Sequence, residues 1–297
     1  MISVLMSTYK EPVVYFEQAL KSILNQTYQN LEVVLMVDDS DNLDIIRSAE
    51  MYSMRDTRIR IFKNERNLGL VDSLNRGIPL CQGEYIARMD ADDIAKEDRL
   101  EKQLLYLEAH HYDMVGAFFE QFDEKKEMKF EMPTEHHMCA RYLREGSCLA
   151  HPTWLVKKGV YETLGGYRNI VACEDYDFII RAVLAGYQVG NCPEYLLRYR
   201  VHNDSISQSK MAEQRIITNY LAKAYCKKSA ISMDFYSELK KSGRLQEDIK
   251  RYEKLRQKVE KAKTEKKKGK KLFYCMMLLS EWDYVRSYLK NIVKRMY

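Results

Sequence analysis

The sequence predicts an α/β protein in which a mostly parallel β-sheet is flanked by helices and followed by a helical C-terminal region. Two observations carry this prediction. The first hundred residues alternate between short apolar segments and segments of helical periodicity, which is the pattern of parallel strands joined by helical crossovers. Beyond Ser205 the chain changes to long helical segments that contain no proline and only two glycines, Gly243 and Gly269.

Each predicted element has its own local signal. Strands are predicted where four to nine apolar or alternating residues occur together, and helices where apolar residues recur at intervals of three and four. The strands are Ile2–Ser7, Leu31–Asp39, Arg58–Asn64, "EYIARMD" and "DMVGAFFEQF", and the helices are "VVYFEQALKSILNQ", "DNLDIIRSAEMYSM", "GLVDSLNRGIPLC", "LEKQLLYLEAHH" and Glu174–Tyr187.

Composition excludes several classes of protein. The seven cysteines of the 297-residue chain are scattered and form no C-x-x-C pair, which argues against a disulfide framework or a zinc finger and fits a reducing compartment. The N-terminus has no basic region of the kind that begins a signal peptide. No segment approaches the roughly 20 apolar residues that span a bilayer. We therefore expect a cytoplasmic protein.

The net charge of +5 hides an asymmetry. From Ser205 onward the chain has 24 Lys and Arg against 10 Asp and Glu, whereas the preceding part has 24 against 33. Charge asymmetry of this kind indicates that the two parts have different partners.

Acidic residues follow two of the predicted strands. Asp38 and Asp39 follow the second strand, and Asp90, Asp92 and Asp93 follow the fourth. Residues two apart in a strand point to the same side, and paired carboxylates suit a hard divalent cation such as Mg²⁺ or Mn²⁺. The alternative is a solvated turn in which Asp93 caps the helix that begins in "IAKEDRLEKQ".

Four motifs carry a resemblance to a known family: "VLMSTYKEP", "LEVVLMVDDS", "NERNLGLVDSLNRGI" and "GEYIARMDADD". In order and spacing they resemble the family 2 inverting nucleotide-sugar glycosyltransferases with the GT-A fold. The resemblance covers residues 1–205 and implies a GT-A catalytic domain there. Residues 206–297 would form a basic helical region that resembles nothing we can name.

The resemblance implies roles for individual residues. Thr8, Tyr9 and Glu11 would contact the nucleoside, Asp39 would accept a hydrogen bond from uracil, and Arg66 would lie near the base. Asp90 would touch the ribose and the metal, and Asp92 would bind the metal, Mn²⁺ or Mg²⁺. In the second half, Asp175 would be the catalytic base with Glu174 beside it, His202 a third metal ligand, Arg200 a phosphate contact and Trp154 a flat surface for the acceptor sugar. A buried core tryptophan is the alternative for Trp154.

The implied reaction is metal-dependent transfer of a sugar from a UDP-sugar to an acceptor hydroxyl, with inversion. The acceptor would be a glycan on a lipid carrier or a protein, as in bacterial surface polysaccharide synthesis. A sugar nucleotidyltransferase or a non-catalytic nucleotide-sugar-binding module is the alternative. The first of these would need a glycine-rich loop after the first strand, where "STYKEP" has no glycine.

The basic tail admits three interpretations. Lysines at 266–271 precede the amphipathic segment "LFYCMMLL". These helices would pack on the catalytic domain, bind an anionic membrane surface at the inner face of the cell membrane, or associate with a second copy to form a homo-oligomer. No nucleic-acid partner is expected, because no binding motif accompanies the charge.

Overall fold

The structure is a computed structural model that describes residues 1–38, 41–123, 126–170, 172–201, 210–228 and 235–264, with side chains to residue 258. The described part contains nine strands: β1 Ile2–Thr8, β2 Leu31–Val37, β3 Ile59–Lys63, β4 Tyr85–Asp90, β5 Ile94–Ala95, β6 Met114–Phe122, β7 Glu127–Phe130, β8 Leu155–Lys157 and β9 Val189–Arg200. Its helices are α1 Val13–Leu24, α2 Leu43–Ser53, α3 Leu70–Gly77, α4 Arg99–Ala109, α5 His136–Tyr142, α6 Lys158–Leu164, α7 Glu174–Leu184, α8 Met211–Cys226, α9 Phe235–Lys241 and α10 Arg244–Thr264.

The strands form one mixed sheet in the order β3-β2-β1-β4-β8-β6-β9-β5, with β7 paired to β6. Strands β1 to β4 run parallel, whereas β8 is antiparallel to both β4 and β6. Helices flank the sheet. The predicted α/β class, a largely parallel sheet flanked by helices and followed by a helical extension, is confirmed.

Two strands of the parallel half of the sheet, β1 and β2, are buried on both faces. All seven residues of β1 and of β2 are buried, and α1 packs Phe16, Leu20 and Ile23 against this core. Because both faces are covered, these strands are continuous apolar runs rather than alternating ones. This is why the first strands could be predicted from the sequence.

The alternative in which Asp93 caps a helix in "IAKEDRLEKQ" does not hold. The segment "IAKEDR" begins with the short strand β5, whose Ile94 and Ala95 pair with Arg198 and Leu197 of β9, and the predicted helix "LEKQLLYLEAHH" corresponds to α4, Arg99–Ala109. Asp93 is fully buried and accepts a hydrogen bond from the main chain of Arg200, so it does not cap the helix. A pairing partner a hundred residues away overrides the local helical pattern.

The chain divides into two compact units. The first consists of Met1–Ser209 with Thr218–Ala230 and contains the whole sheet; the second consists of Lys210–Ile217 with Ile231–Tyr297. In the second unit, α9 and α10 bury Leu239, Leu245, Tyr252 and Leu255. The predicted domain boundary at residue 205 stays a prediction. Within the described residues, no helix combines the length and the apolar character required to cross a bilayer.

Gly83, two residues before β4, provides a test of how tightly the start of β4 packs on β1. A Cβ atom at Gly83 would lie 2.7 Å from both the carbonyl oxygen of Met1 and the amide nitrogen of Ser3. Because these are backbone atoms, we expect Gly83→Ala to lower the free energy of unfolding by about 1–3 kcal/mol. Gly159→Ala is the control, since nothing lies within 4 Å of a Cβ there. Urea denaturation should show a lower midpoint for the first variant only; equal midpoints would contradict the packing described.

Candidate active site

The candidate site lies where the parallel strands β1, β2 and β4 end. In the sheet register Thr8 is level with Val37, and Ser7 is level with Asp90. The chain segments that follow these strands therefore meet at one edge of the sheet. Ligands of open α/β sheets bind at this carboxyl edge.

The loop after β1 is organised by Glu11. Its Oε2 accepts hydrogen bonds from the hydroxyl of Thr8 and from the amide of Tyr9, both at 2.7 Å. The carbonyl of Tyr9 in turn accepts a hydrogen bond from the side chain of Asn42 at 3.0 Å. The three residues predicted to contact a nucleoside thus form one connected loop. Their roles toward a nucleotide stay predictions.

Asp38 holds the loop that carries Arg66. Its carboxylate accepts hydrogen bonds from the side chain of Asn64 (2.7 Å) and from the amides of Leu68 and Gly69 (2.8 Å each). The motifs indicated no role for Asp38. Its signal was an acid at the end of a fully buried strand, which is costly unless the carboxylate is hydrogen-bonded. Arg66 is exposed on the loop that Asp38 fixes, and Asp39 lies outside the described residues.

The acidic turn, which we define as Asp90–Asp93, brings three carboxylates together. Asp90, Asp92 and Asp93 each offer an oxygen within 4.8 Å of the others. Asp90 and Asp92 are half-buried, whereas Asp93 is fully buried and its Oδ2 has no hydrogen-bond partner among the described residues. Burial, followed by the charges of Asp90 and Asp92, raises the pKa of Asp93 well above its usual value. Close hard oxygens, one of them unsatisfied, fit a divalent cation.

Two buried arginines lie beneath this turn. Arg88 is 2% exposed and forms an ion pair with Asp90. Burial opposes its charge, but Asp90 outweighs burial and raises the pKa of Arg88. Arg99 is fully buried and donates to the carbonyl of Arg88 at 2.8 Å and to Gln103 at 2.9 Å. Burial lowers the pKa of Arg99 to about 9. The cluster of acids is therefore balanced by two cations held in the core.

The predicted catalytic pair begins α7. Glu174 and Asp175 are half-buried in the first turn of this helix. Burial raises the pKa of Glu174 to about 7, with the charge of Asp175 adding to the effect, and burial raises the pKa of Asp175 to about 6. The charge of Arg88 opposes both shifts. Raised pKa values mean that these acids favour the folded state at low pH, and that this stabilisation is lost as the pH rises from about 4 through 7.

The position of α7 is fixed by Asp177. This fully buried aspartate accepts from Arg181 at 2.8 Å and lies 3.6 Å from the guanidinium of Arg168. Arg181 also donates to the carbonyls of Leu164 and Gly166 at 2.8 and 2.9 Å. The helix that begins with the predicted catalytic pair is thereby tied to the turn at Leu164–Gly166 that precedes it.

Trp154 corrects one prediction. It is fully buried, with its ring centroid 4.6 Å from that of His151, 5.7 Å from Phe178 and 6.2 Å from Tyr167. A buried ring offers no face to an acceptor sugar, so the core alternative describes its position. The reason is local: Trp154 directly precedes β8, a central strand that pairs with both β4 and β6.

The structure thus brings together most of the predicted residues that it describes. The β1 loop, the Asp38 loop and the acidic turn share one edge of the sheet, and the charge of Arg88 acts on both the acidic turn and the α7 pair. His202 lies outside the described residues. The motifs did not point to Arg88 and Arg99. Arg88 had a signal, because an arginine inside an apolar run such as "YIARM" indicates a buried, paired charge, whereas Arg99 lies in a charged segment and had none.

Comparisons with known proteins agree with this geometry. A family model described as "Glycosyl transferase family 2" matches residues 3–165. The O-antigen biosynthesis glycosyltransferase WbnJ of Escherichia coli is 32% identical over 245 residues, which is 76% of this chain and 94% of that protein.

Two solved structures have a similar fold. TarS of S. aureus, residues 1–349 in complex with UDP-GlcNAc, has a TM-score of 0.61 at 17% identity, covering 74% of this chain and 66% of that one. The mannosyltransferase PcManGT of Pyrobaculum calidifontis, in complex with GDP-Man and Mn²⁺, has a TM-score of 0.62 at 16% identity, covering 98% and 86%. The family match spans more than half of the sequence. The chain belongs to glycosyl transferase family 2, has the GT-A fold and is a glycosyltransferase.

Proposed function

We propose that this glycosyltransferase transfers a sugar from a UDP-sugar to an acceptor hydroxyl, with inversion and with the help of Mn²⁺ or Mg²⁺. The observation that carries the proposal is the acidic turn at the carboxyl edge of β4, where three carboxylates offer oxygens within 4.8 Å of one another. Carboxylates this close repel each other. A divalent cation that binds them together with a substrate diphosphate would remove this repulsion.

The residues suited to the metal are Asp90 and Asp92, with His202 as the predicted third ligand. Asp90 also forms an ion pair with Arg88. When bound, the metal would act as a Lewis acid that stabilises the departing nucleoside diphosphate. PcManGT, a structural neighbour, is described in complex with Mn²⁺.

The proposed base is Asp175. Its carboxylate would take the proton of the acceptor hydroxyl while the acceptor oxygen forms its bond to the anomeric carbon and the bond from that carbon to the diphosphate oxygen breaks. Attack opposite the leaving group inverts the anomeric centre. A base pKa of about 6 suits this role, because the carboxylate is ionised near neutral pH yet more basic than an ordinary aspartate. Glu174 would contact the acceptor or hold Asp175.

The proposed donor nucleotide is UDP. Its support is the resemblance, in which Asp39 accepts from the N–H of uracil, and the TarS complex with UDP-GlcNAc. The GDP-Man complex of PcManGT shows that the fold also accommodates guanine nucleotides in a relative. The β1 loop built on Thr8, Tyr9 and Glu11 would hold the nucleoside.

The proposed acceptor is a glycan on a lipid carrier or a protein. The name of WbnJ, an O-antigen biosynthesis enzyme, supports a place in surface polysaccharide synthesis. The basic residues 265–297, which lie outside the described residues, would bring the enzyme to an anionic membrane surface. Vesicle flotation of the full chain and of a chain ending at residue 264 tests this partner.

A donor screen tests the nucleotide. With Mn²⁺ present, a UDP-sugar should raise the melting temperature, because ligands that bind only the folded state stabilise it. GDP- and CMP-sugars should raise it less, and Asp92→Ala should abolish the Mn²⁺-dependent part of the shift. Asp44→Asn, a change at a residue 79% exposed on α2, is the control and should leave the shift intact. A larger shift with a GDP-sugar would overturn the proposed donor.

The base assignment predicts a separation of binding from chemistry. Asp175→Asn should bind the donor as tightly as the wild type but transfer sugar at least about a hundredfold more slowly, because the amide cannot accept the proton. In the wild type, kcat should fall as the pH drops below about 6, where Asp175 becomes protonated. Transfer assays from pH 5 to 8 provide both readouts. A wild-type rate for the Asp175→Asn variant would rule out this residue as the base.

A further inference from the structure

Arg200, the last residue of β9, lies against the acidic turn. Its amide donates to Oδ1 of Asp93 at 2.8 Å, and its Nε donates to the carbonyl oxygen of Asp92 at 2.8 Å. Its Nη2 donates to Gln18 of α1 at 2.7 Å. One residue thus joins the acidic turn to a strand and a helix that are remote in the sequence.

Two aromatic rings hold the guanidinium of Arg200 in place. Its central carbon lies 4.0 Å from the ring centroid of Tyr15 and 4.7 Å from that of Phe122. A planar cation stacked on rings loses little further entropy when it forms hydrogen bonds. Arg200 is thus engaged with the protein itself, and its predicted contact with a phosphate stays a prediction.

We propose that Arg200 is a positioning residue that sets the geometry of the acidic turn for the divalent cation. The inference rests on the proposed metal dependence. Arg200 binds the turn through the main-chain carbonyl of Asp92 and through Asp93, the buried carboxylate. The guanidinium of Arg200 therefore places a positive charge beside the three acids, because it binds the main-chain carbonyl of Asp92, the predicted metal ligand. It also fixes the direction from which the Asp92 side chain leaves the turn.

The physical reason for such a residue is repulsion. Three carboxylates within 4.8 Å repel each other before a cation arrives, and an unrestrained turn would relax by moving them apart. Arg88 restrains the turn at Asp90, and Arg200 restrains it at Asp92 and Asp93. Residues that orient metal ligands typically change metal affinity about 10- to 100-fold when they are replaced.

Arg198 provides a matched control. It lies two residues earlier on β9, its guanidinium carbon lies 4.3 Å from the same Phe122 ring, and it pairs with Glu127 at 3.3 Å. Among the described contacts, its side chain makes none with the acidic turn. Arg198→Gln therefore removes the same charge from the same strand without touching residues 90–93.

The experiment measures Mn²⁺ binding to the full chain by calorimetry and by the electron paramagnetic resonance of free Mn²⁺, with and without UDP. We expect Arg200→Gln to weaken Mn²⁺ binding at least about tenfold. Arg200→Lys should recover only part of the affinity, because lysine keeps the charge but lacks the planar fork. Arg198→Gln should stay within about twofold of the wild type.

The outcomes separate this inference from the proposed function. Melting temperatures of the metal-free variants report any loss of folding, which a merely structural role would produce without changing the Mn²⁺ affinity of the folded protein. Equal Mn²⁺ affinity in wild type, Arg200→Gln and Arg200→Lys would overturn the positioning role and leave the proposed metal dependence standing. A wild type that binds no Mn²⁺ or Mg²⁺, even with UDP, would overturn both.

Discussion

The crowding of carboxylates after β4 is the constraint on which the rest of the site depends. Complete burial, followed by the charges of Asp90 and Asp92, raises the pKa of Asp93 well above its usual value. Three arginines supply compensating positive charge near the turn: Arg88 and Arg99, which are buried in the core, and Arg200 at the end of β9. Burying two guanidinium groups is itself costly, so neither side of this balance is stable without the other.

The acids of the candidate site lie in two different electrostatic environments. Asp90 forms an ion pair with Arg88 and belongs to the acidic turn, whose oxygens are of the kind that a hard cation binds. Glu174 and Asp175 lie in surroundings where burial raises their pKa values and Arg88 only partly opposes it. A carboxylate with a raised pKa is a better proton acceptor. Under the proposed function, environment rather than residue type would therefore give Asp90 and Asp175 their different tasks.

The sequence predicted the features that depend on local pattern. The buried strands, their acidic ends and the acidic start of α7 followed from apolar runs and from the rule that parallel strands end at a common edge. The role of Asp38, the strand β5 and the engagement of Arg200 depend on partners 26 to 108 residues away, and no local pattern encodes them. Trp154 illustrates the same limit, because only tertiary packing distinguishes a core ring from an exposed one.

The family model matches the part of the chain that contains one half of the candidate site but not the other. The match ends at residue 165, so it includes the β1 loop, Asp38 and the acidic turn but not Asp175 or Arg200. The side of the site that is proposed to hold the nucleotide and the metal is thus built from the segment that the family model matches. The proposed base and Arg200 come from the later elements α7 and β9. Similarity to a relative extends past residue 165, since the match to WbnJ covers 76% of this chain. Under the proposed function, Asp175 would contact the acceptor, and Arg200 would link β9 to the turn that holds the metal.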